Sequence, residues 1–185
     1  MDKSTVPLTS RTITQMGLFL ALIIVSGMFA LPIPGLGVPV VLQNMVIMLA
    51  GSLLGKKVGL LTNGLFLLLA FAGLPLLAGG RGGAAVFLSP SSGFLLGYLV
   101  CVPVISSLSG WLGTQHFWQL FIVYVIGGAL CINFFGSFSL AYYSHLSWVN
   151  GLKMAAAFVP LDMVKAALAA WLQLRLQGIL HFETK

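Results

Sequence analysis

Charged residues are scarce in this sequence. Only 6% of its 185 residues are Asp, Glu, Lys or Arg, whereas 59% are hydrophobic. An ordinary soluble domain carries about a quarter charged residues, so this composition is that of a membrane protein. The net charge of +6 comes from basic residues scattered among apolar runs, which form no patch of the kind that nucleic acid binding needs.

Residues that carry catalysis or bind metals are also few. Cys101 and Cys131 lie in apolar runs, which argues against a disulfide framework, and the three histidines stand apart at turns or near the C-terminus. The sequence contains no Walker A motif, no H-E-x-x-H pair and no G-x-S-x-G elbow. We therefore expect no enzymatic activity, no catalytic residues, no metal site and no resident cofactor.

Long apolar runs make up most of the chain. A helix needs about 20 mostly apolar residues to cross the hydrocarbon core of a bilayer. Six segments come near that length, at about 11–31, 40–55, 58–73, 92–112, 117–140 and 150–176. The sequence therefore predicts an all-α membrane protein, with six transmembrane helices in one compact bundle and residues 1–185 as a single integral membrane domain.

The positions of the basic residues predict the orientation. Cytoplasmic loops are enriched in lysine and arginine, and six spans place both termini on one side. That side carries most of the basic residues, namely Lys3, Arg11, Lys56, Lys57, Arg175 and Lys185. The opposite loops contain only Arg81, together with Lys153 near the start of the last span. Both termini are therefore expected in the cytoplasm.

One carboxylate stands in the body of the chain. Asp2 and Glu183 lie in the polar tails, so Asp162, in the stretch FVPLDMVKAALAAW, is the only acid within a predicted span. A charge at bilayer depth is costly and normally faces the protein interior with a partner. Lys165 is three residues further along, on the same face of a helix. Because a buried ion pair adds little net stability, a cavity that engages a polar ligand explains these charges better than a structural pair.

Pro160 lies inside the last predicted span, two residues before Asp162. A proline within a helix removes a backbone hydrogen bond, and a span tolerates it where neighbouring groups satisfy the freed carbonyl. We therefore expect the backbone to be opened next to the charged pair.

Two connections between predicted spans are rich in glycine and proline. The third, GLPLLAGGRGGAAVFLSPSSG from Gly73 to Gly93, places Arg81 among glycines and apolar residues. Irregular backbone at membrane depth is tolerated where protein buries it or where it lines a cavity, and glycines let backbone N–H groups approach a ligand. We interpret this segment as a lid or re-entrant loop. The first connection, from Leu31 to Asn44, is expected to cap a pocket from the same side.

The first predicted span carries a stripe of small residues. Gly17 and Ala21 are four residues apart, and Ser26, Gly27 and Ala30 follow them. Such a stripe allows another helix to approach closely. Gly17 and Ala21 are therefore our candidates for contact with a membrane partner.

Three stretches of the sequence carry a family resemblance. They are PVVLQNMVIMLAGSLLGKKVG, GLPLLAGGRGGAAVFLSPSSGFLLGY and FVPLDMVKAALAA. They resemble, in that order, the first loop and second span, the glycine-rich loop and following helix, and the last-span motif of the BioY family, the biotin-binding membrane subunits of energy-coupling-factor (ECF) vitamin transporters. The resemblance extends from about Val38 to Arg175.

The resemblance implies a multi-pass protein of the bacterial cell membrane that binds biotin from outside and passes it inward. Members of this family lack an ATPase of their own. A membrane coupling subunit and two ABC-type ATPases, which consume the ATP, energise them. The family places the docking of the coupling subunit on the small stripe of the first span, here Gly17 and Ala21.

The chemistry of biotin suggests roles for the candidate residues. Biotin has a ureido ring with two N–H donors and one carbonyl, an apolar sulfur ring and a flexible chain that ends in a carboxylate. We expect Asp162 to accept from a ureido N–H, since a charged acceptor binds more strongly than a neutral one, and Lys165 to keep that carboxylate ionised and to donate to the ligand. Arg81 is a candidate for the biotin carboxylate or for closing the loop. The other candidate substrate-binding residues are Gly80, Gly82, Tyr98 and Gln43. Which cation faces which end of biotin stays open.

Three other functions remain open on the sequence. A solitary or proton-coupled carrier for another small vitamin-like solute would protonate Asp162 during transport. An intramembrane enzyme would use Asp162 and Lys165 as acid and base, and would need a second carboxylate or histidine at matching depth. A structural subunit without a ligand would need the two charges only as a pair.

Overall fold

Helices make up most of the described chain, which comprises residues 9–31 and 38–179 of a computed structural model. In chain order they are α1 (Ser10–Met28), α2 (Gln43–Leu53), α3 (Gly55–Phe71), α4 (Ala84–Phe87), α5 (Ser92–Leu112), α6 (Phe117–Tyr124), a π-helix (Val125–Leu130), α7 (Cys131–Tyr143), α8 (Trp148–Ala156) and α9 (Val159–Ile179). Two short strands, β1 (Ala30–Leu31) and β2 (Val40–Val41), pair antiparallel and are an exception to the all-α prediction. They join the two ends of the first connection, of which residues 32–37 lie outside the described residues.

The helices differ in whether they are long enough to cross a membrane. Within the described ranges, Ser10–Met28, Ser92–Leu112 and the continuous helical stretch Phe117–Tyr143 are long and apolar enough to do so. The bent pair α8 and α9 is a fourth crossing if it counts as one span. The 11 residues of α2 extend only about 16 Å, roughly half the hydrocarbon thickness. The protein is thus a multi-pass membrane protein.

The last predicted span is built from two helices rather than one. The chain bends by 50° between α8 and α9. Pro160 is the second residue of α9, where its missing N–H breaks no intrahelical bond. Asp162 consequently lies in the first turn of α9, where the helix dipole favours a negative charge. The backbone opening expected near Asp162 is therefore a helix start.

Helix α5 packs against α2, α3, α6 and α7. Two glycines four residues apart on α5 allow α7 to come close. A Cβ atom at Gly97 would lie 2.8 Å from Ile132 Cα, and one at Gly93 would lie 2.2 Å from the carbonyl oxygen of Phe135. Small residues at this spacing are typical of tightly packed membrane helices. The pair fixes the distance between the backbones of α5 and α7.

A buried polar network joins four helices toward the far end of α9. Gln173 Nε2 donates to Ser52 Oγ at 3.0 Å, and the Tyr124 hydroxyl donates to Gln173 Oε1. Ser52 and Ser109 are linked through their hydroxyls at 3.2 Å. Because an unpaired polar group is costly in an apolar interior, these mutual bonds hold α2, α5, α6 and α9 in one arrangement.

The outside of the bundle is apolar. Large hydrophobic side chains on several helices are exposed, among them Leu18, Leu68, Phe134, Leu168 and Trp171. A water-soluble protein rarely exposes so continuous an apolar surface. These side chains are positioned to contact lipid.

The close approach at Gly97 yields a stability prediction. Gly97→Ala should destabilise the protein by about 1–3 kcal/mol, because the new methyl group would force the backbone of α7 away. Thermal unfolding of the detergent-solubilised protein measures this. Gly110→Ala in the same helix is the control, since nothing lies within 4 Å of a Cβ atom there, and alanine should stabilise the helix by about 0.5–1 kcal/mol. Equal melting temperatures for the two variants would contradict the prediction.

Candidate functional site

Four buried polar side chains from three helices meet around one carboxylate. Asp162 and Lys165 come from α9, Asn44 from α2 and Asn133 from α7, and their exposed fractions are 3%, 6%, 6% and 4%. Lys165 Nζ lies 2.8 Å from Asp162 Oδ1, which confirms the predicted pair. We call these four residues the Asp162 cluster.

The donors of the cluster are divided between the two oxygens of the carboxylate. Asp162 Oδ1 accepts from Lys165 Nζ and from Asn44 Nδ2 at 2.9 Å, while Oδ2 accepts from Asn133 Nδ2 at 2.7 Å. Lys165 Nζ also donates to Asn44 Oδ1 at 3.2 Å. Hydrogen bonds to charged groups are shorter and stronger than neutral ones. One cation and two amides therefore compensate the negative charge.

Three members of the Asp162 cluster, Asn44, Asp162 and Lys165, line a pocket within which about 530 Å³ is free of protein atoms, open solvent included. The wall is mostly apolar and comes from both loops, from α5 and α7 and from the residue before α9, through Val38, Val40, Val41, Leu77, Ala78, Val86, Phe94, Leu95, Ile132 and Phe158. The other polar lining residues are Gln43, Arg81, Ser91 and Tyr98. The charged pair thus faces a pocket that combines apolar surface with a few placed polar groups, as sites for small molecules do.

Two polar groups of the lining retain bonding capacity within the described structure. Lys165 Nζ has three protons, of which Asp162 and Asn44 take two. The hydroxyl of Ser91, at the start of α5, is buried without a hydrogen-bond partner among the described residues. Since buried polar atoms normally have partners, both groups are suited to bind a polar ligand.

Arg81 lines the cavity from the glycine-rich loop. Its Nε donates to the carbonyl of Ala78 at 3.1 Å, and its own carbonyl accepts from the N–H of Leu77 at 2.9 Å. Arg81 therefore lies on a tight turn that lines the cavity. The loop was predicted to be irregular throughout, but it contains one short helix, α4.

Gly80 and Gly82 belong to this turn and are not among the lining residues. Gly80 has φ +75°, a left-handed conformation that favours glycine. A Cβ atom at Gly82 would lie 2.1 Å from the carbonyl oxygen of Leu74. In the described chain both glycines shape the loop that carries Arg81.

Gln43 lines the cavity, but its amide nitrogen is bonded to backbone. Gln43 Nε2 donates to the carbonyl of Ile23 on α1 at 3.0 Å and to that of Leu76 in the glycine-rich loop at 2.9 Å. Gly27 permits this contact, because a Cβ atom there would lie 2.5 Å from Gln43 Nε2. Gln43 therefore fastens the loop to the end of α1.

Tyr98 is buried and lines the cavity two helical turns beyond Ser91 on α5. Its backbone carbonyl accepts from Asn63 Nδ2 at 3.0 Å, which ties α5 to α3 at this level. The backbone of α5 is thus fixed where Tyr98 lines the cavity, and its contact with a ligand stays a prediction.

Gly17 and Ala21 lie apart from the cavity on an exposed face of α1. No atom lies within 4 Å of a Cβ atom built at Gly17. The structure does not bring these two residues together with the other predicted site residues.

Sequence reasoning missed Asn133 and Ser91 and gave Asn44 no part in the site. Asn133 is a single amide within the apolar run CINFFG. The signal that could have identified Asn133 is an isolated amide within a span, because a buried amide needs a hydrogen-bond partner. Within the described part of the chain, no group of three or more His, Cys, Asp or Glu side chains is placed to hold a metal ion, and Cys101 and Cys131 are both free.

The fold and the site define a class of protein, namely a multi-pass helical membrane protein with a mostly apolar, partly charged pocket lined by two loops. Within that class the sequence matches the BioY family over residues 1–182. The chain therefore belongs to the BioY family, as its motifs indicated.

Named relatives match over most of their own length. The chain is 38% identical over 180 residues to the biotin transporter BioY of Lactococcus lactis, covering 91% of this chain and 92% of the relative. It is 36% identical over 174 residues to the biotin transporter BioY of Rhizobium etli, covering 89% and 92%. A crystal structure of the S-component for biotin from an ECF-type ABC transporter superposes with a TM-score of 0.84 at 38% identity, covering 91% of each chain.

The contacts of Gln43 yield a prediction on the glycine-rich loop. Gln43→Leu keeps the side-chain volume and removes both donors, so the loop should lose its tie to α1. Hydrogen–deuterium exchange of residues 73–83 should increase at least about threefold, since each lost bond is worth about 1 kcal/mol.

Asn63→Leu is the matched control for this prediction. It also removes a buried amide that donates to a backbone carbonyl, but that bond lies between α3 and α5. Exchange of residues 73–83 should then stay as in the wild type, even where global stability falls. Equal loop exchange in Gln43→Leu and the wild type would refute the role of Gln43.

Proposed function

We propose that this protein binds biotin and mediates its uptake across the bacterial cell membrane as the substrate-binding subunit of an ECF-type vitamin transporter. The observation that carries the proposal is the hydrogen-bonded pair Asp162 and Lys165 on the wall of a mostly apolar pocket in a chain of the BioY family. The names of its relatives and of the matching crystal structure support the choice of biotin.

The lining of the cavity is complementary to the parts of biotin. The ureido ring offers two N–H donors and a carbonyl acceptor, which match the carboxylate of Asp162 and the ammonium of Lys165. The sulfur ring is apolar and matches the walls formed by Phe94, Leu95 and Phe158. Binding sites of this kind combine apolar surface with a few placed polar groups that fix orientation.

The carboxylate of biotin needs a cation or hydroxyl at the other end of the cavity. Arg81 and Ser91 come from the loop and from the start of α5, whereas Tyr98 is two helical turns further along α5. Since the ammonium of Lys165 is already bonded to Asp162 and Asn44, the guanidinium of Arg81 is the better partner. This assigns the ureido ring to the Asp162 cluster and the carboxylate to the mouth.

We further propose that the chain passes the membrane six times with both termini in the cytoplasm, and that the short helix α2 covers only part of the hydrocarbon thickness in the second passage. Lys56 and Lys57 are exposed at the turn from α2 to α3, as cytoplasmic loops require. Asn44 and Asp162 lie in the first turns of α2 and α9, next to the two loops. The cavity is therefore at the end of α2 that is remote from the lysine turn, which is the outer side of the membrane.

Transport requires partners that bind ATP, and α1 supplies a surface for them. We assign a membrane coupling subunit and two ABC-type ATPases to this role. The face of Gly17 and Ala21 is exposed and small, so the helix of another membrane protein can pack against it closely.

Asp162→Asn tests the ligand assignment. We expect biotin affinity to fall at least about tenfold, because a hydrogen bond to a charged group is worth about 1.5–3 kcal/mol. Calorimetry on the detergent-solubilised protein measures this, with gel filtration to verify folding. The wild type must bind biotin in the same assay, and a wild type that does not would refute the proposed function.

A second variant separates ligand binding from a structural ion pair. Asp162→Leu combined with Lys165→Met removes both charges and leaves no unpaired ion, which is often neutral for stability. Biotin binding should still be lost. Retained binding in this double variant would show that the two charges serve only each other.

The surface on α1 predicts a separation of binding from transport. Gly17→Leu together with Ala21→Leu should leave biotin affinity unchanged, since both residues lie away from the cavity, and should abolish ATP-dependent uptake by the assembled transporter. Uptake of labelled biotin into proteoliposomes measures this.

Leu65→Trp with Leu68→Trp is the control for the α1 variant. These two residues are exposed on α3 and also gain bulk on a face turned away from the bundle. Uptake should persist in this control. Normal uptake in the α1 variant would exclude Gly17 and Ala21 as the docking surface.

A further inference from the structure

Asn133 is the least expected member of the Asp162 cluster. It is the third residue of α7, and α7 follows the π-helix Val125–Leu130 directly. Its Nδ2 donates to the carbonyl of Ala129 at 2.9 Å and to Asp162 Oδ2 at 2.7 Å. Both neighbours are acceptors, so only the amino side of the amide can face them. The orientation of the Asn133 side chain is thereby fixed.

The π-helix aims Asn133 at Asp162. A π-turn holds one residue more than an α-turn, so it rotates the following residues by about 100° relative to an uninterrupted α-helix. Single π-turns within α-helices are frequent at functional sites. In this chain the rotation turns Asn133 toward α9.

Close packing holds the segment around Asn133 in place. Gly97 lets the backbone of α5 reach Ile132, the neighbour of Asn133. Gly128, within the π-helix, lies against Met48 of α2, because a Cβ atom there would be 2.4 Å from the sulfur. The π-helix and the start of α7 are therefore clamped between α2 and α5.

The carboxylate of Asp162 has limited acceptor capacity. Two carboxylate oxygens offer about four acceptor positions. Lys165 and Asn44 occupy two on Oδ1, and Asn133 occupies one on Oδ2. The position that remains for a ligand donor is thus on Oδ2, beside Asn133.

The two hydrogen bonds of Asn133 require an amide. Its amino group donates to the carbonyl of Ala129 and to Asp162 at the same time, whereas a hydroxyl has only one proton to donate. Asn133 Oδ1 is buried without a hydrogen-bond partner among the described residues, and an unpaired buried acceptor destabilises a protein. The bond to Asp162 is thus made although the same side chain leaves an acceptor unpaired.

We propose that Asn133 is a positioning residue that holds Asp162 Oδ2 toward the ligand. The inference rests on the proposed function, because that function identifies the ligand as biotin. Without Asn133, the carboxylate is held through Oδ1 alone and can rotate about its last side-chain bond, so the remaining acceptor position loses its direction.

The test replaces Asn133 by aspartate and follows biotin affinity with pH. Asn133→Asp places a second carboxylate within hydrogen-bond distance of Asp162. At about pH 8 the two charges repel each other, and affinity should fall about a hundredfold. At low pH the pair takes up one shared proton, which restores a donor toward Oδ2, and affinity should recover about tenfold.

Besides Asp162, the charged and titratable side chains around this site are Lys165 on α9, Tyr98 and Cys101 on α5 and Arg81 in the glycine-rich loop. Asn44, which faces the site from α2, is neutral. A wild-type series over the same pH range corrects for titration of the ligand.

Asn133→Ala supplies a variant without the new charge. It should bind biotin about tenfold more weakly than the wild type, with the same deficit at each pH. Gel filtration at each pH establishes that the variants are folded. If Asn133→Asp does not fold, the affinity of Asn133→Ala decides the matter.

The outcomes distinguish this inference from the proposed function. Wild-type protein that fails to bind biotin overturns the proposed function. If the wild type binds biotin and Asn133→Ala binds it equally well, only the role of Asn133 is overturned. The same holds if the affinity lost in Asn133→Asp does not recover at low pH while the protein stays folded.

Discussion

A carboxylate enclosed by apolar helices must find donors within the protein, and this requirement organises the site. Asp162 obtains them from three helices, through Lys165, Asn44 and Asn133. Removing one donor leaves a buried charge partly uncompensated. The positions of α2, α7 and α9 relative to one another are therefore linked through a single side chain. The start of α9 adds the favourable end of its dipole.

The bundle divides its polar groups between two levels. The Asp162 cluster lies beside the loops and faces the cavity, while Gln173, Tyr124, Ser52 and Ser109 form a second network about three helical turns further along α9. The second network pairs its members with one another. The first keeps unfilled bonding capacity at Lys165 and Asp162. This contrast separates a level whose polar groups retain bonding capacity from a level whose polar groups bond mainly to one another.

Short-range patterns in the sequence were sufficient for part of the site. Asp162 is the sole acid of the apolar body, and its spacing to Lys165 predicted the observed pair. The glycine-rich loop and the break near Pro160 were likewise expected from local residue types. Asn44 and Asn133 meet Asp162 across 118 and 29 residues, and no local pattern reports such contacts. The register shift that directs Asn133 toward Asp162 depends on a π-helix, which no residue pattern indicated.

Gly82 and Gln43 illustrate a further limit of prediction from residue type. Gly82 is a candidate binding residue because a glycine lets a ligand approach the backbone, but the group that lies close to Gly82 is the carbonyl of Leu74. Gln43 is a candidate binding residue because it is a polar side chain beside a loop, but its amide nitrogen donates to backbone carbonyls of α1 and of the glycine-rich loop. In both cases the residue type indicates a close contact but does not identify the partner. A glycine or a glutamine suits a close contact with a ligand and one with the protein's own backbone equally well.

The glycine-rich loop is hydrogen-bonded to three helices. The N–H of Gly79 donates to the carbonyl of Gly27 at the end of α1, the N–H of Gly83 donates to the carbonyl of Ala70 on α3, and Gln43 of α2 donates to the carbonyl of Leu76. Gln43 also donates to Ile23, so it joins the loop to α1 as well. The helix that carries Gly17 and Ala21 is thus connected to the loop directly and through Gln43. A displacement of α1 would therefore strain the hydrogen bonds that hold the glycine-rich loop in place.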